Sequence, residues 1–156
     1  MADLLKFSYT TQFTAASDSA TIAAAAFNNS STIVSSLTST NHNDWPLADV
    51  QLSFSGTASV SSVSNWIVLY RRDLNIDGST GDAPLPQSAS PAYSNLPVGQ
   101  FIVPPYSVSF STPVNLIITD VPLSKNCEFY IENKMNLPVG ASWVLRVTPK
   151  TFNSNG

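Results

Sequence analysis

Short runs of alternating apolar and polar residues recur along the chain, separated by prolines and small polar residues. In "KFSYTTQF", Phe7, Tyr9 and Phe13 share one parity. In "DVQLSF", Val50, Leu52 and Phe54 alternate with Gln51 and Ser53. In "CEFYIE", Cys127, Phe129 and Ile131 oppose Glu128, Tyr130 and Glu132. In "SWVLRVT", Trp143, Leu145 and Val147 oppose Ser142, Arg146 and Thr148. Period two with one polar face predicts half-buried antiparallel strands. "NWIVLY" (Asn65 to Tyr70) is apolar on both faces, which predicts a central strand or one whose outer face meets a partner. "NLIITDVPL" (Asn115 to Leu123) is similar and ends in a turn at Asp120 and Pro122. Further strands are predicted near Thr32 to Ser35, Gly99 to Val103 and Tyr106 to Phe110. Eight or nine strands with no capped helical period predict an all-β fold: a two-sheet antiparallel sandwich, jelly-roll-like, with an extended N-terminal segment.

The 156 residues suit a single domain, 1–156. Residues 1–47 form an N-terminal arm or edge segment in this reading. From Ser19 to Asn43 the segment carries no Asp, Glu, Lys or Arg, and its "ATIAAAAF" fits a short helix or an extended stretch. Contacts with other chains are expected there, at Phe7, Tyr9, Phe13, Ile22, Phe27, Ile33 and Val34. Residues 73–97 hold four prolines with several Gly, Ser and Asn, and read as a long ordered loop at one end of the sandwich.

Charged residues make up only 11% of the chain, against roughly 25% in ordinary soluble domains. Ser, Thr and Asn take their place. Such a surface repels its neighbours little and suits a protein packed against others. The net charge is −3 and the seven Lys and Arg are scattered. Binding to a phosphate backbone needs clustered cations, so nucleic acid is not expected as a partner. No apolar run reaches the roughly 20 residues of a membrane span, so no membrane partner is expected either. "MADLLKFSYTTQF" places Asp3 early and lacks the apolar core of a signal peptide. The expectation is a soluble protein made in a reducing cytosol. A single cysteine, Cys127, forms no intrachain disulfide and reads as a small buried hydrophobe.

"RRDLNIDGSTGDAP" opens like a calcium loop, with Asp73, Asn75, Asp77 and Gly78 at the right spacing. The twelfth position, where the closing Glu belongs, is Pro84, and the flanks are not helices. The EF-hand reading therefore fails. A looser calcium loop would use Asp73, Asn75, Asp77 and Asp82. The preferred reading is a shaped turn, in which Asp and Asn cap the backbone and Gly78 supplies a positive φ. Arg71 or Arg72 is expected to pin that loop through its carboxylates. No metal and no cofactor is favoured.

Candidate catalytic groups are few. His42 lies near Asp44 in "TNHNDWP", but no positioned nucleophile accompanies it. Glu128 and Glu132 stand four residues apart, roughly 13 Å along a strand, too far for a glycosidase pair within that strand. They read as surface or interface charges. Trp45, Tyr93 and Tyr106 sit in loop contexts that would suit a sugar platform or simple packing. No enzyme is expected.

The stretches "LYRRDLNIDGSTGDAPLP", "LPVGQF", "TDVPLSKNCEFYIENK" and "WVLRVTPKT", with "FSYTTQF" at the start, resemble a group of small structural virion proteins of tailed bacteriophages, chiefly short-tailed ones. The resemblance covers about Trp66 to Thr151 and carries no catalytic motif. It implies a non-enzymatic decoration, or cement, protein that binds the assembled shell of the phage major coat protein and stabilises it. It also implies self-association as a dimer or trimer, and a place on the capsid exterior after synthesis in the host bacterial cytoplasm. A carbohydrate-binding or tail-associated virion module is the alternative.

Overall fold

A computed structural model describes residues 5–18, 21–23, 45–56, 65–74, 96–103, 110–124, 126–135, 138–140 and 142–154. They form eight strands: β1 (Leu5–Tyr9), β2 (Phe13–Asp18), β3 (Leu47–Gly56), β4 (Trp66–Asp73), β5 (Leu96–Ile102), β6 (Phe110–Pro122), β7 (Cys127–Asn133) and β8 (Trp143–Ser154). The larger sheet runs β1-β8-β3-β6, with β2 also paired to β8. The smaller runs β5-β4-β7. All pairings are antiparallel. The hairpin β4–β5 nests inside the pair β3–β6 while the chain crosses between sheets, the winding of a jelly roll.

The alternation read from the sequence decides which side chains fill the space between the sheets. Ala48, Val50, Leu52 and Phe54 of β3 point inward, as do Trp143, Leu145 and Val147 of β8. From the smaller sheet, Ile67, Leu69, Phe101, Cys127, Phe129 and Ile131 meet them. Removing such apolar surface from water is the main force holding the layers together, at about 25 cal/mol per Å².

Of the four register shifts among the described ladders, three adjust this pattern. In β6 the register slips between the pairs Ala48↔Val121 and Val50↔Ile118, and Asp120 adopts φ 60°. The extra residue reverses the parity of the strand. Leu116 and Ile118 pack against the core, and after the bulge it is Val121 that turns inward. In β2 the slip between Thr14 and Ala16 lets the adjacent Ala15 and Ala16 both be buried. In β5 it falls beside Pro97, a residue that a regular central ladder would not accept.

"KFSYTTQF" is two strands rather than one. Residues 10–12 separate β1 from β2, so Phe7 and Tyr9 are exposed while Phe13 packs against the core. The "CEFYIE" strand is also different from its reading: all seven residues of β7 are buried, its polar parity included. Val68 of β4 is buried on the face away from the core as well, as expected for a strand covered on both sides. The strand expected at 32–35 lies outside the described residues, as do 106–109, while β6 takes up Phe110.

The two sheets approach closely where β5 faces β6. A Cβ placed on Gly99 would lie 2.9 Å from both Cδ1 and Cγ2 of Ile118. Cγ2 is fixed to the branched Cβ of Ile118 and cannot swing away alone. Gly99→Ala should therefore destabilise the fold by about 1–3 kcal/mol through overpacking, read as a lower urea midpoint. Restoring space with Ile118→Val should recover part of the loss.

Candidate functional site

Among the described residues a polar cluster stands on the outer face of each sheet. The first lies on the outer face of the smaller sheet. Antiparallel register sets Arg72 opposite Glu128, Tyr70 opposite Tyr130 and Val68 opposite Glu132. Arg72 Nη1 donates to Glu128 Oε2 at 2.8 Å, and the Tyr130 hydroxyl donates to the same oxygen at 3.1 Å. The Tyr70 hydroxyl donates to Glu132 Oε2 at 2.8 Å, and Lys134 pairs with Glu132 Oε1. Burial pushes both phenols up to about 12, helped in each case by the neighbouring carboxylate. Glu128 and Glu132 are thus not surface charges, because each is buried and held by one cation and one phenol. The strand alternation is correct here, but cross-strand pairing rather than water satisfies the polar parity.

The second cluster lies on the outer face of the larger sheet, where β8 meets β1 and β3. Lys150 is opposite Tyr9 on one side and Leu47 on the other. Its ammonium pairs with Asp49, and with Asp120 Oδ1 at 2.8 Å. The same nitrogen sits 4.8 Å from the Phe7 ring centroid and 5.9 Å from that of Tyr9. The β6 bulge places Asp120 here, and its backbone N–H donates to Asp49 Oδ1 at 3.3 Å. The two carboxylates raise the Lys150 ammonium against the opposing effect of burial, and Lys150 lowers the Asp120 carboxyl. With its cation so engaged, Lys150 acts as a fixed floor beneath the aromatic rings rather than as a free charge.

Those rings form the exposed part of the site. Phe7, Tyr9 and Phe152 are 44%, 54% and 52% exposed. The Phe7 and Phe152 centroids are 4.9 Å apart, and those of Phe7 and Tyr9 are 6.4 Å apart. The rings are tilted by 39° and 42°, giving a ridge rather than a flat platform.

The expected site residues therefore separate. Phe7 and Tyr9 are exposed together, Phe13 packs against the core, and Ile22 is buried where it bridges Val139. Phe27, Ile33 and Val34 lie outside the described residues, as do His42, Asp44, Tyr93 and Tyr106. Residues 5–18 of the segment read as an arm or edge are ladder strands along β8. Of the loop oxygens only Asp73 is described, with Asn75, Asp77 and Asp82 outside. Arg71 pins Asp73, its Nε 2.8 Å from Oδ1, while the Ser124 hydroxyl donates to Oδ1 at 2.7 Å. Arg71 Nη1 also donates to Pro122 O at 2.8 Å, tying β4 to the end of β6. Arg72 instead serves Glu128.

Phe152 and Lys150 were missed by the sequence reading, although their signal is present: both continue the outward parity of Arg146 and Thr148 in β8. Among the described residues no group of three His, Cys, Asp or Glu is placed to hold a metal ion, and no helix is long and apolar enough to cross a membrane. No protein-family profile, curated protein or solved structure matches the chain.

Proposed function

We propose that this chain is a non-catalytic decoration protein of a phage particle, one that docks on the assembled coat-protein shell and braces it. The exposed ridge of Phe7, Tyr9 and Phe152 carries the reading. Large aromatic anchors dominate docking energetics because they bury much area with few rotatable bonds. The tilt between these rings suits insertion into a protein pocket better than stacking on the flat face of a sugar. The resemblance to small virion proteins, the low content of charge and the jelly-roll winding, which also serves capsid domains, support the same reading. A protein that binds only the assembled shell stabilises it by mass action. Repeated copies around a shell add avidity.

The test is cosedimentation of the purified chain with assembled coat shells. Phe7→Ser/Phe152→Ser should weaken binding about 30-fold or more, as expected for loss of an interface anchor worth about 2 kcal/mol. Both side chains are about half exposed, so circular dichroism should remain that of the parent. Wild-type affinity in the double variant would refute the ridge as the docking surface. Retention on a glycan array that the same double variant abolishes would move the assignment to a carbohydrate-binding module.

A further inference from the structure

A different observation concerns the opposite edge of the larger sheet. Among the described residues β6 pairs only with β3 and stands last in its sheet. It is 13 residues long. From Phe110 to Thr119 it carries no charge. Between Pro113 and the bulge at Asp120 lies a regular stretch, Val114 to Thr119, rich in β-branched residues. Ile117 is 61% exposed on its outer side, and Val114, Leu116 and Ile118 are only half-buried on its inner side.

The other edges are blunted. β7 is buried throughout. β5 is interrupted by its bulge at Pro97. β1 spans five residues and includes Lys6, and β2 is bulged. Charge, proline, short length and bulges are the means by which natural edges avoid pairing. The middle of β6 has none of them.

We propose that β6 pairs antiparallel with β6 of a second copy of this chain, joining the two larger sheets across a twofold axis. The register follows from parity. Opposed residues of an antiparallel pair lie on the same face, so the axis must pass through a residue. Centred on Ile117, each exposed Ile117 meets its own mate. Leu116 then faces Ile118 and extends the core across the junction, and Asn115 faces Thr119. Asp120, the one charge of β6, falls near the partner's Val114, so no like charges oppose. An isologous contact of this kind closes on itself and forms a dimer rather than a fibre. The contact is independent of the aromatic ridge, which lies at the other edge of the sheet, on β1 and β8.

Analytical ultracentrifugation of the full chain over a dilution series tests the pairing. The wild type should dimerise, and Ile117→Lys, which sets two ammonium groups face to face, should weaken the dimer about 100-fold while the circular dichroism stays that of the parent. Ile117→Cys supplies a second readout, because directly opposed residues bring Cα atoms about 4.5–5.5 Å apart, within disulfide reach. The only native cysteine is buried, so mild oxidation should yield one covalent dimer through position 117. A wild-type chain that stays monomeric at every concentration, or a dimer that Ile117→Lys leaves intact, overturns the proposal. Either result leaves the docking assignment of the ridge untouched, since that rests on different variants.

Discussion

Glu128→Gln should lower the unfolding free energy by about 3 kcal/mol, while Arg72→Leu/Glu128→Leu should cost less than Glu128→Leu alone. The ion pair has side chains only 14% and 12% exposed and an N–O distance of 2.8 Å. Two charges taken out of water are expensive, and their attraction repays that cost only while both are present. Glutamine keeps the shape of Glu128 but removes the charge facing the Arg72 guanidinium. It also replaces the charged acceptor of the Tyr130 hydroxyl with a neutral one. Breaking a buried pair from one side typically costs about 3–5 kcal/mol, whereas replacing both members with apolar groups is often neutral. Urea titrations of Arg72→Leu, Glu128→Leu and the double variant give the coupling directly. Equal, additive losses would mean that Arg72 and Glu128 do not depend on each other.

The second large effect is a loss of stability in alkali. Burial pushes the Cys127 thiol up to about 11, from an ordinary value of 9.0. The phenols of Tyr70 and Tyr130 are pushed up to about 12, from 10.0. In the unfolded chain these groups release their protons at the ordinary values. The native state holds them to higher pH. Between the two values the native state binds more protons than the unfolded state, so stability falls as pH rises. A separation of two pH units corresponds to about 2–3 kcal/mol for a fully buried group such as Cys127. Tyr70, only partly buried, contributes less. Lys150 acts in the same direction: its ammonium is raised above 10.5, so its contribution is complete below that value and lost above it. Urea midpoints should thus hold to about pH 9, decline through 10 and fall steeply by 11. Cys127→Ala should delay the onset of the decline toward pH 10, where phenol ionisation begins. A midpoint independent of pH from 8 to 11 would contradict the buried, protonated state of these groups.

Both effects arise on strands whose existence was plain in the sequence. Alternation placed Val50, Leu52 and Phe54 on one face and Trp143, Leu145 and Val147 on another, and those residues form the core. It also set Glu128, Tyr130 and Glu132 on one face of β7. What covers a face is not a local property. A polar parity reads as solvent-facing until a neighbouring strand brings Arg72 and Tyr70 into register with it. The same limit applies to "KFSYTTQF", where the break at residues 10–12 moves Phe13 to the opposite side from Phe7.

By itself the sequence determined the all-β class, the two-sheet antiparallel arrangement and the core parity of β3 and β8, because a period of two is imposed by strand geometry wherever one face is buried. It also set Arg71 or Arg72 against the carboxylates of the following loop, and the fold assigns Asp73 to Arg71, two residues away, and Glu128 to Arg72. Only the tertiary structure decided the site. Lys150, Asp49 and Asp120 come from three strands and meet because a bulge turns Asp120 to the outer face. Phe7 and Phe152 lie at opposite ends of the chain and touch because β1 and β8 pair. Contacts at such separation depend on topology and register, which no window of neighbouring residues encodes.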